Sequence, residues 1–286
     1  MPKTQMGRAH QRVEEIFMKK FAKALIAGAC GVALVAGCLG IAGCGGSDAN
    51  SGNDTKSDAA NYTLVNEGKL TFGTSPDYPP FENLVKGEYV GYDIALGQAV
   101  AEKLGLEAEY QTIQFDGILP AVQSGGQIDA GIAGISVDPK RAKQADFSDS
   151  YYTDDQAICA NKDGKVKDEK SLNKSGVVIA VQTGTTGESY ARENYPKATV
   201  KGFGNSTDAF AALQAGKADA VMTNKAVVER MLKSYDDAQI IKAVATGEEY
   251  SIAVSKDNPE LLAAINKALE ELKADGTIDK LQNEYL

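Results

Sequence analysis

From Lys69 onward, short apolar runs alternate with stretches in which apolar residues recur every three to four positions, a pattern that predicts α/β layering. Leu70 and Phe72, with polar Thr71 between them, predict a brief strand. Ile94, Leu96, Val100, Ala101 and Leu104 share one helical face, and Gly105 is placed to close that helix. Near the C-terminus, Asn258-Pro259 forms a helix start, the stripe Leu261, Leu262, Ile265, Leu269 and Leu272 follows, and Gly276 ends it.

One stretch of this pattern is written twice. Ala121-Val122-Gln123-Ser124-Gly125 leads to Asp129-Ala130 and the apolar Gly131-Ile132, and Ala212-Leu213-Gln214-Ala215-Gly216 leads to Asp219-Ala220 and Val221-Met222. Two copies so far apart predict two similar lobes rather than a solenoid. Gln156-Ala157-Ile158-Cys159-Ala160 and Tyr250-Ser251-Ile252-Ala253-Val254 both look extended. Read as crossings, they divide the body into a first lobe, 61–155 with 249–286, and a second, 156–248; read blandly, they are two more core strands.

The front of the chain follows another pattern. The uncharged stretch 24–43, rich in Ala and Gly, follows Lys19, Lys20 and Lys23, as a secretory signal does. Residues 1–43 therefore form the expected export segment, with a true start at Met18 an open alternative. Ile41-Ala42-Gly43-Cys44 resembles the bacterial lipobox, so Cys44 is the expected lipidation site and 44–60, poor in apolar residues, a flexible stalk. An uncleaved anchor helix is the alternative. Either way the globular part is expected outside the cytoplasm, on the outer face of the bacterial cell membrane.

Composition then removes whole classes of function. His10 is the only histidine of 286 residues and lies in the export segment. The body thus lacks the imidazole of Ser-His-Asp or Cys-His chemistry and the commonest ligand of catalytic zinc. Three of the four cysteines precede residue 45, which leaves Cys159 alone and no disulfide framework. A net charge of −9, more acidic still without the Lys-rich leader, does not suit nucleic acid.

Several ordered segments carry a resemblance. They are Gly73-Thr74-Ser75-Pro76-Asp77-Tyr78-Pro79-Pro80-Phe81-Glu82, Gly91-Tyr92-Asp93, Phe115-Asp116-Gly117-Ile118-Leu119-Pro120, and Ser136 to Arg141 with Asp146-Phe147-Ser148-Asp149 behind it. Val181 to Glu188 and the tail Asp275 to Leu281 complete the set. Together they resemble the polar amino-acid (family 3) solute-binding proteins of ABC importers. The resemblance implies an α/β, two-lobed periplasmic-binding-protein-like (type II) fold with a hinge of two crossing strands.

It also implies a site for a zwitterion. Asp138 is a natural cap and Pro139 a natural first helical residue, which would place Arg141 in a first turn. There, by resemblance, its planar fork would hold a ligand's α-carboxylate. Thr185-Thr186-Gly187-Glu188 has the T-x-x-E spacing of a capping box, and the resemblance puts Thr186 with its neighbouring amides on the same carboxylate. For the ammonium it implies the turn Ala133-Gly134-Ile135-Ser136, with Ser136 acting through its hydroxyl and Ala133 and Gly134 through their backbones. The family's second-lobe carboxylate aligns with Asn224, which offers a carbonyl but no charge. Tyr78 and Tyr92 match the aromatic walls, with a buried core tyrosine the open alternative, for Tyr92 more than for Tyr78. Ser75 falls where members that bind basic ligands often carry an acid, so Ser75 and Asn224 together predict a pocket favouring a neutral or acidic polar ligand.

The expected function is a non-enzymatic, substrate-binding lipoprotein. It would capture a polar amino acid or close relative between its lobes and deliver it to an ABC permease, as a monomer needing neither cofactor nor metal. Two alternatives stay open. One is an enzyme on the same scaffold, with Asp77, Glu82 or Asp93 as acid or base; the other is a sensory binding protein for a membrane receptor.

Overall fold

A computed structural model describes residues 62–286. The export segment 1–43, the lipidation site Cys44 and the stalk 44–60 lie outside the described residues. Strand β1 (Lys69–Thr74) leads through a small sheet of β2 (Asp77–Tyr78), β3 (Glu82–Val85) and β4 (Glu88–Val90) into helix α1 (Tyr92–Lys103). Then follow β5 (Glu107–Thr112), α2 (Phe115–Ser124), β6 (Ala130–Gly131) and β7 (Asp146–Phe147). Strands β1, β5 and β6 pair in parallel.

The chain crosses along β8 (Tyr152–Asn161) and repeats the same order in the second lobe: β9 (Val178–Gln182), α3 (Thr186–Asn194), β10 (Thr199–Phe203), α4 (Ser206–Gln214) and β11 (Ala220–Asn224). Helix α5 (Lys225–Leu232) precedes β12 (Ala238–Tyr250), which returns the chain to β13 (Ala253–Val254), α6 (Pro259–Ala274) and α7 (Thr277–Tyr285).

The two main sheets share one plan. The first runs β5-β1-β6-β13-β7 and the second β10-β9-β11-β8-β12. In each, three parallel strands are followed by one that pairs antiparallel with them, β13 in the first and β8 in the second, and then by a fifth, β7 or β12. The doubled segment of the sequence falls at equivalent places, helix α2 into β6 and helix α4 into β11. Parallel strands require a helix on each crossover, which is why apolar runs and amphipathic stretches alternate along the chain.

The stretch 156–160 lies in β8, whereas 250–254 spans the end of β12, a two-residue break and β13. Strands β8 and β12 form the hinge, pairing Tyr152 with Tyr250 and Asp154 with Glu248. Rings gather around that crossing: Phe81 lies 5.1 Å from Tyr250, 5.3 Å from Tyr152 and 6.3 Å from Tyr92, centroid to centroid. Among the described residues no helix is long and apolar enough to cross a membrane.

Candidate ligand-binding site

In open α/β sheets the carboxyl ends of parallel strands gather the loops that meet a ligand. Here β6 runs into the turn 133–136 and β11 ends at Asn224, so both doubled segments deliver the chain to one cleft between the lobes. The first turn depends on Gly134. Its φ is +54°, and a Cβ there would stand 3.3 Å from the Tyr250 ring and 3.4 Å from that of Tyr78. Its N–H donates to Asp93 at 2.7 Å, so that amide is already engaged; Ala133 before it is buried.

Arg141 sits just beyond this turn. The segment forms three residues of 3-10 helix (Arg141–Lys143) instead of the expected α-helix, because the chain must reach β7 within a few residues. Asp138 nevertheless caps it, accepting from the N–H groups of Lys140 at 2.6 Å and Arg141 at 3.0 Å. Arg141 is only 6% exposed. Nη1 donates to the Ser136 carbonyl at 2.6 Å and, across the cleft, Nη2 donates to the Gly184 carbonyl at 3.0 Å. Its carbon lies 5.2 Å from the centre of the Phe115 ring. The nearest ion pair is the long Nε contact to Asp138 at 3.6 Å. Desolvation pulls its pKa down, opposed by the charges of Asp138 and Glu248. A buried cation held mostly by neutral carbonyls is an unbalanced charge that an anion would complete. An opening of about 190 Å³ bordered by Phe115, Arg141 and Gly184 adjoins it.

The second lobe contributes the start of α3. Thr185 caps it, accepting the Glu188 N–H at 3.1 Å. The reciprocal half of the box is different: Glu188 accepts from the Gly184 N–H at 2.8 Å and pairs with Arg192 at 2.6 Å. Thr186 is thereby left to turn its hydroxyl to Glu248, at 2.9 Å. From β11, Asn224 directs its side-chain N–H to the same oxygen at 3.2 Å. Its carbonyl accepts from the Tyr78 hydroxyl at 2.6 Å. With that proton spent, the Tyr78 oxygen can only accept from the Thr223 hydroxyl at 2.8 Å and the Asn224 N–H at 3.3 Å. Tyr78 thus ties the lobes together.

Glu248, on the hinge strand β12, was not among the residues singled out by sequence. Its carboxylate accepts from Ser136 at 2.5 Å as well as from Thr186 and Asn224, and Gln156 of β8 donates to it at 3.0 Å. Three of the expected site residues, from both lobes, therefore converge on one side chain. The only sequence sign of it was an acidic pair, Glu248-Glu249, just ahead of the second extended segment. Phe115 was quoted only as part of a motif, yet its ring covers the guanidinium.

One expectation needs correction and another completion. Tyr92 does not wall the cleft. It packs inside the first lobe against Phe81, Tyr151 and Tyr152, donates to the Tyr151 carbonyl at 3.1 Å and accepts from Gln282 of α7 at 3.3 Å. As the first residue of α1, it faces the neighbouring helix rather than the gap. A pocket less negative than a basic-amino-acid site, expected from Ser75 and Asn224, leaves out two nearby carboxyl groups. Ser75 donates to Asp77 at 2.7 Å, and Asp77 itself accepts from Gln182 at 3.2 Å and the Ser206 N–H across the lobes. Asp77 and Glu248 thus bring carboxyl groups to the cleft from positions that the two neutral residues do not report.

Behind the Gly134 turn lies a buried acid pair. Asp93 accepts from Gly134 and from the Tyr151 hydroxyl at 2.8 Å, yet desolvation still raises it to about 6. Glu82 is fully buried, neither carboxyl oxygen has a hydrogen-bond partner, and desolvation followed by the Asp93 charge pushes it well above its ordinary value. Cys159, inside β8, has its thiol pushed up to about 12 by burial, which makes it an inert core residue. Among the described residues no group of three or more His, Cys, Asp or Glu side chains is arranged to hold a metal ion.

Two similar lobes, a two-strand hinge and a cleft lined by a buried guanidinium, hydroxyls and a helix start define a two-lobed binding protein of the periplasmic type. The chain belongs to the bacterial extracellular solute-binding proteins, family 3, whose model matches residues 70–286. It is 32% identical to the ABC transporter glutamine-binding protein GlnH of Bacillus subtilis (strain 168), over 94% of this chain and 98% of that protein. It is 34% identical to the arginine-binding extracellular protein ArtP of the same strain, over 88% of this chain and 95% of that one. Among solved structures, an ancestral arginine-binding protein bound to glutamine matches with a TM-score of 0.72 and 41% identity, over 77% of this chain and 98% of that one.

Proposed function

We propose that this protein captures a polar α-amino acid between its lobes and hands it to an ABC permease, working as a monomer held to the outer face of the cell membrane through lipidated Cys44. The observation that carries the reading is the buried Arg141, whose Nη groups meet only backbone carbonyls, one from each lobe. A ligand α-carboxylate takes the guanidinium as a two-pronged partner and the amides at the start of α3 as a second grip. Ligand and lobe closure are then linked, because groups from both lobes hold one carboxylate and the ligand favours the closed form by those contacts. Tyr78 and Phe115 flank the ligand, Ser136 and Asn224 serve its amino end, and Ser75 acts through Asp77.

The named relatives are binding proteins, which favours capture over turnover. Mass spectrometry of ligand released from purified protein identifies the solute; an amino acid is expected, and its unchanged recovery after incubation supports binding without chemistry. A sugar, a metal chelate or a peptide in that role would overturn the reading.

A further inference from the structure

A zwitterion needs charge of both signs from its site, and the second lobe supplies no anion at the end of β11. Asn224 is neutral, and its side-chain carbonyl already accepts the Tyr78 hydroxyl. Two other carboxylates of the cleft and hinge are engaged elsewhere. Asp77 serves Ser75, Gln182 and the Ser206 N–H, and Asp154 accepts from the Asp155 and Ala226 N–H groups. Glu248 differs from both, because its partners are the residues that line the site.

The backbone explains how it gets there. Along β8 the step from Gln156 to Asp154 is two residues, whereas on β12 their partners, Val244 and Glu248, are four apart. The extra residues form a bulge stitched to β8 by the Thr246 hydroxyl, which accepts the Gln156 N–H at 3.1 Å, and by the Gly247 N–H, which donates to Asp155 at 3.0 Å. Gly247 takes a φ of +57°. Bulges of this kind re-aim a side chain, and this one is followed at once by Glu248. A second observation is independent of the bulge. The side-chain oxygen of Gln156 is buried without a hydrogen-bond partner, although the amide nitrogen on the same group donates to Glu248. A buried acceptor in want of a donor beside a carboxylate is a setting for an ammonium group, which donates three hydrogen bonds and accepts none.

We infer that Glu248, a hinge residue, supplies the negative charge that neutralises the ligand's α-ammonium, in place of a carboxylate on the second lobe. Gln156 Oε1 is the accompanying neutral acceptor. This rests on the amino-acid reading above and assigns the amino end of that ligand. Specificity for an amino over a plain carboxylic acid is then set at the hinge, where the strands must bend as the lobes close.

The test uses the full body of the protein and isothermal calorimetry. L-Glutamine, L-glutamate, L-arginine and L-cystine are ranked first, and the tightest is compared with its analogue in which hydrogen replaces the α-amino group. The wild type should lose about 100-fold or more on removal of that group. Glu248→Gln should weaken the amino acid by roughly 10- to 100-fold, yet leave the des-amino analogue unchanged or tighter. Glu248→Gln combined with Asn224→Asp should recover most of the loss by returning a carboxylate to the same cluster. Equal weakening of both ligands by Glu248→Gln, with no recovery in the double variant, would mean that Glu248 only braces the hinge and would overturn the assignment, as would unaltered binding. Wild-type protein that binds none of the four amino acids would instead overturn the parent reading and this assignment with it.

Discussion

In the first lobe, Asp129 donates its N–H to the Thr71 carbonyl at 2.8 Å and accepts the Thr71 N–H at 2.7 Å; in the second, Asp219 does the same to Val178 at the same two distances. Each Asp thus pins the strand that follows a helix to the first strand of its lobe. The surroundings differ. Asp129 is 6% exposed and also accepts the Val65 N–H at 2.7 Å, whereas Asp219 faces an exposed Lys165 at 3.0 Å. Beyond the pin the lobes diverge further. Strand β6 stops after two residues and turns at Gly134 toward Ser136 and Arg141, while β11 runs five residues straight to Asn224. The scaffold is therefore the part that is repeated, and the cleft-facing end of each strand is where chemistry is free to vary. One lobe carries a buried cation, the other neutral hydroxyl and amide groups, and the hinge between them carries the carboxylate to which Ser136, Thr186 and Asn224 donate.

The sharpest way to break that division of labour is Arg141→Ala. It removes the cation of the first lobe and should cost about 100-fold or more in amino-acid affinity by calorimetry, with a melting temperature within a few degrees of wild type. Near-normal affinity would dissolve the contrast between the lobes.

Next comes the acid pair behind the first lobe's turn, Asp93 with Glu82. Burial raises Asp93 from its ordinary 3.8 to about 6, so the folded state prefers it protonated. That contribution is complete below the ordinary value and is lost as pH rises through about 6. Asp93→Asn removes the titration, so chemical denaturation should show it gaining on wild type between about pH 4 and 6, by roughly 2–3 kcal/mol in all, and level beyond. A constant difference across that range would rule the titration out.

The two pinning residues allow a direct comparison. Asp129→Ala leaves two N–H groups without acceptors and should destabilise the protein by about 2–3 kcal/mol in urea, whereas Asp219→Ala, with water close at hand, should cost about 1 kcal/mol. Equal losses would mean that burial does not separate the pins.

A smaller effect is expected at the bridge between the lobes. Tyr78→Phe leaves the Asn224 carbonyl and the Thr223 hydroxyl without their partner in the closed form, and should weaken binding by roughly 5- to 20-fold. Smallest of all, Tyr92→Phe should change affinity less than about two-fold while costing about 1 kcal/mol of stability, because its hydroxyl serves the Tyr151 carbonyl inside the first lobe.

The legibility of the sequence followed the range of the physical cause. Apolar periodicity, the Gly that closes α1, the Asn-Pro start of α6 and the doubled helix-to-strand segment are decided by neighbouring residues, so they can be read without coordinates. That Arg141 and Thr186 would come to the cleft was legible because each belongs to a short motif whose local geometry recurs. Tyr92 misled for the same reason: its motif places it at a helix start, but which side of the helix faces the cleft depends on packing against α7, some 190 residues away in sequence. Asn224 and Ser75 fell short differently, since charge in a cleft is a sum over everything that reaches it.

By itself, then, the sequence determined the alternation of strands and helices, the two-fold writing of the lobe, the acidic body free of histidine, and the short motif that carries Arg141. Only the tertiary structure decided that Glu248 stands among Ser136, Thr186 and Asn224, that Tyr78 joins the lobes, and that Asp93 holds the Gly134 turn. The reason is that hydrogen bonds and charges act over a few ångströms of space whatever the separation in sequence, and it is the crossing of β8 and β12, with its bulge, that sets those distances.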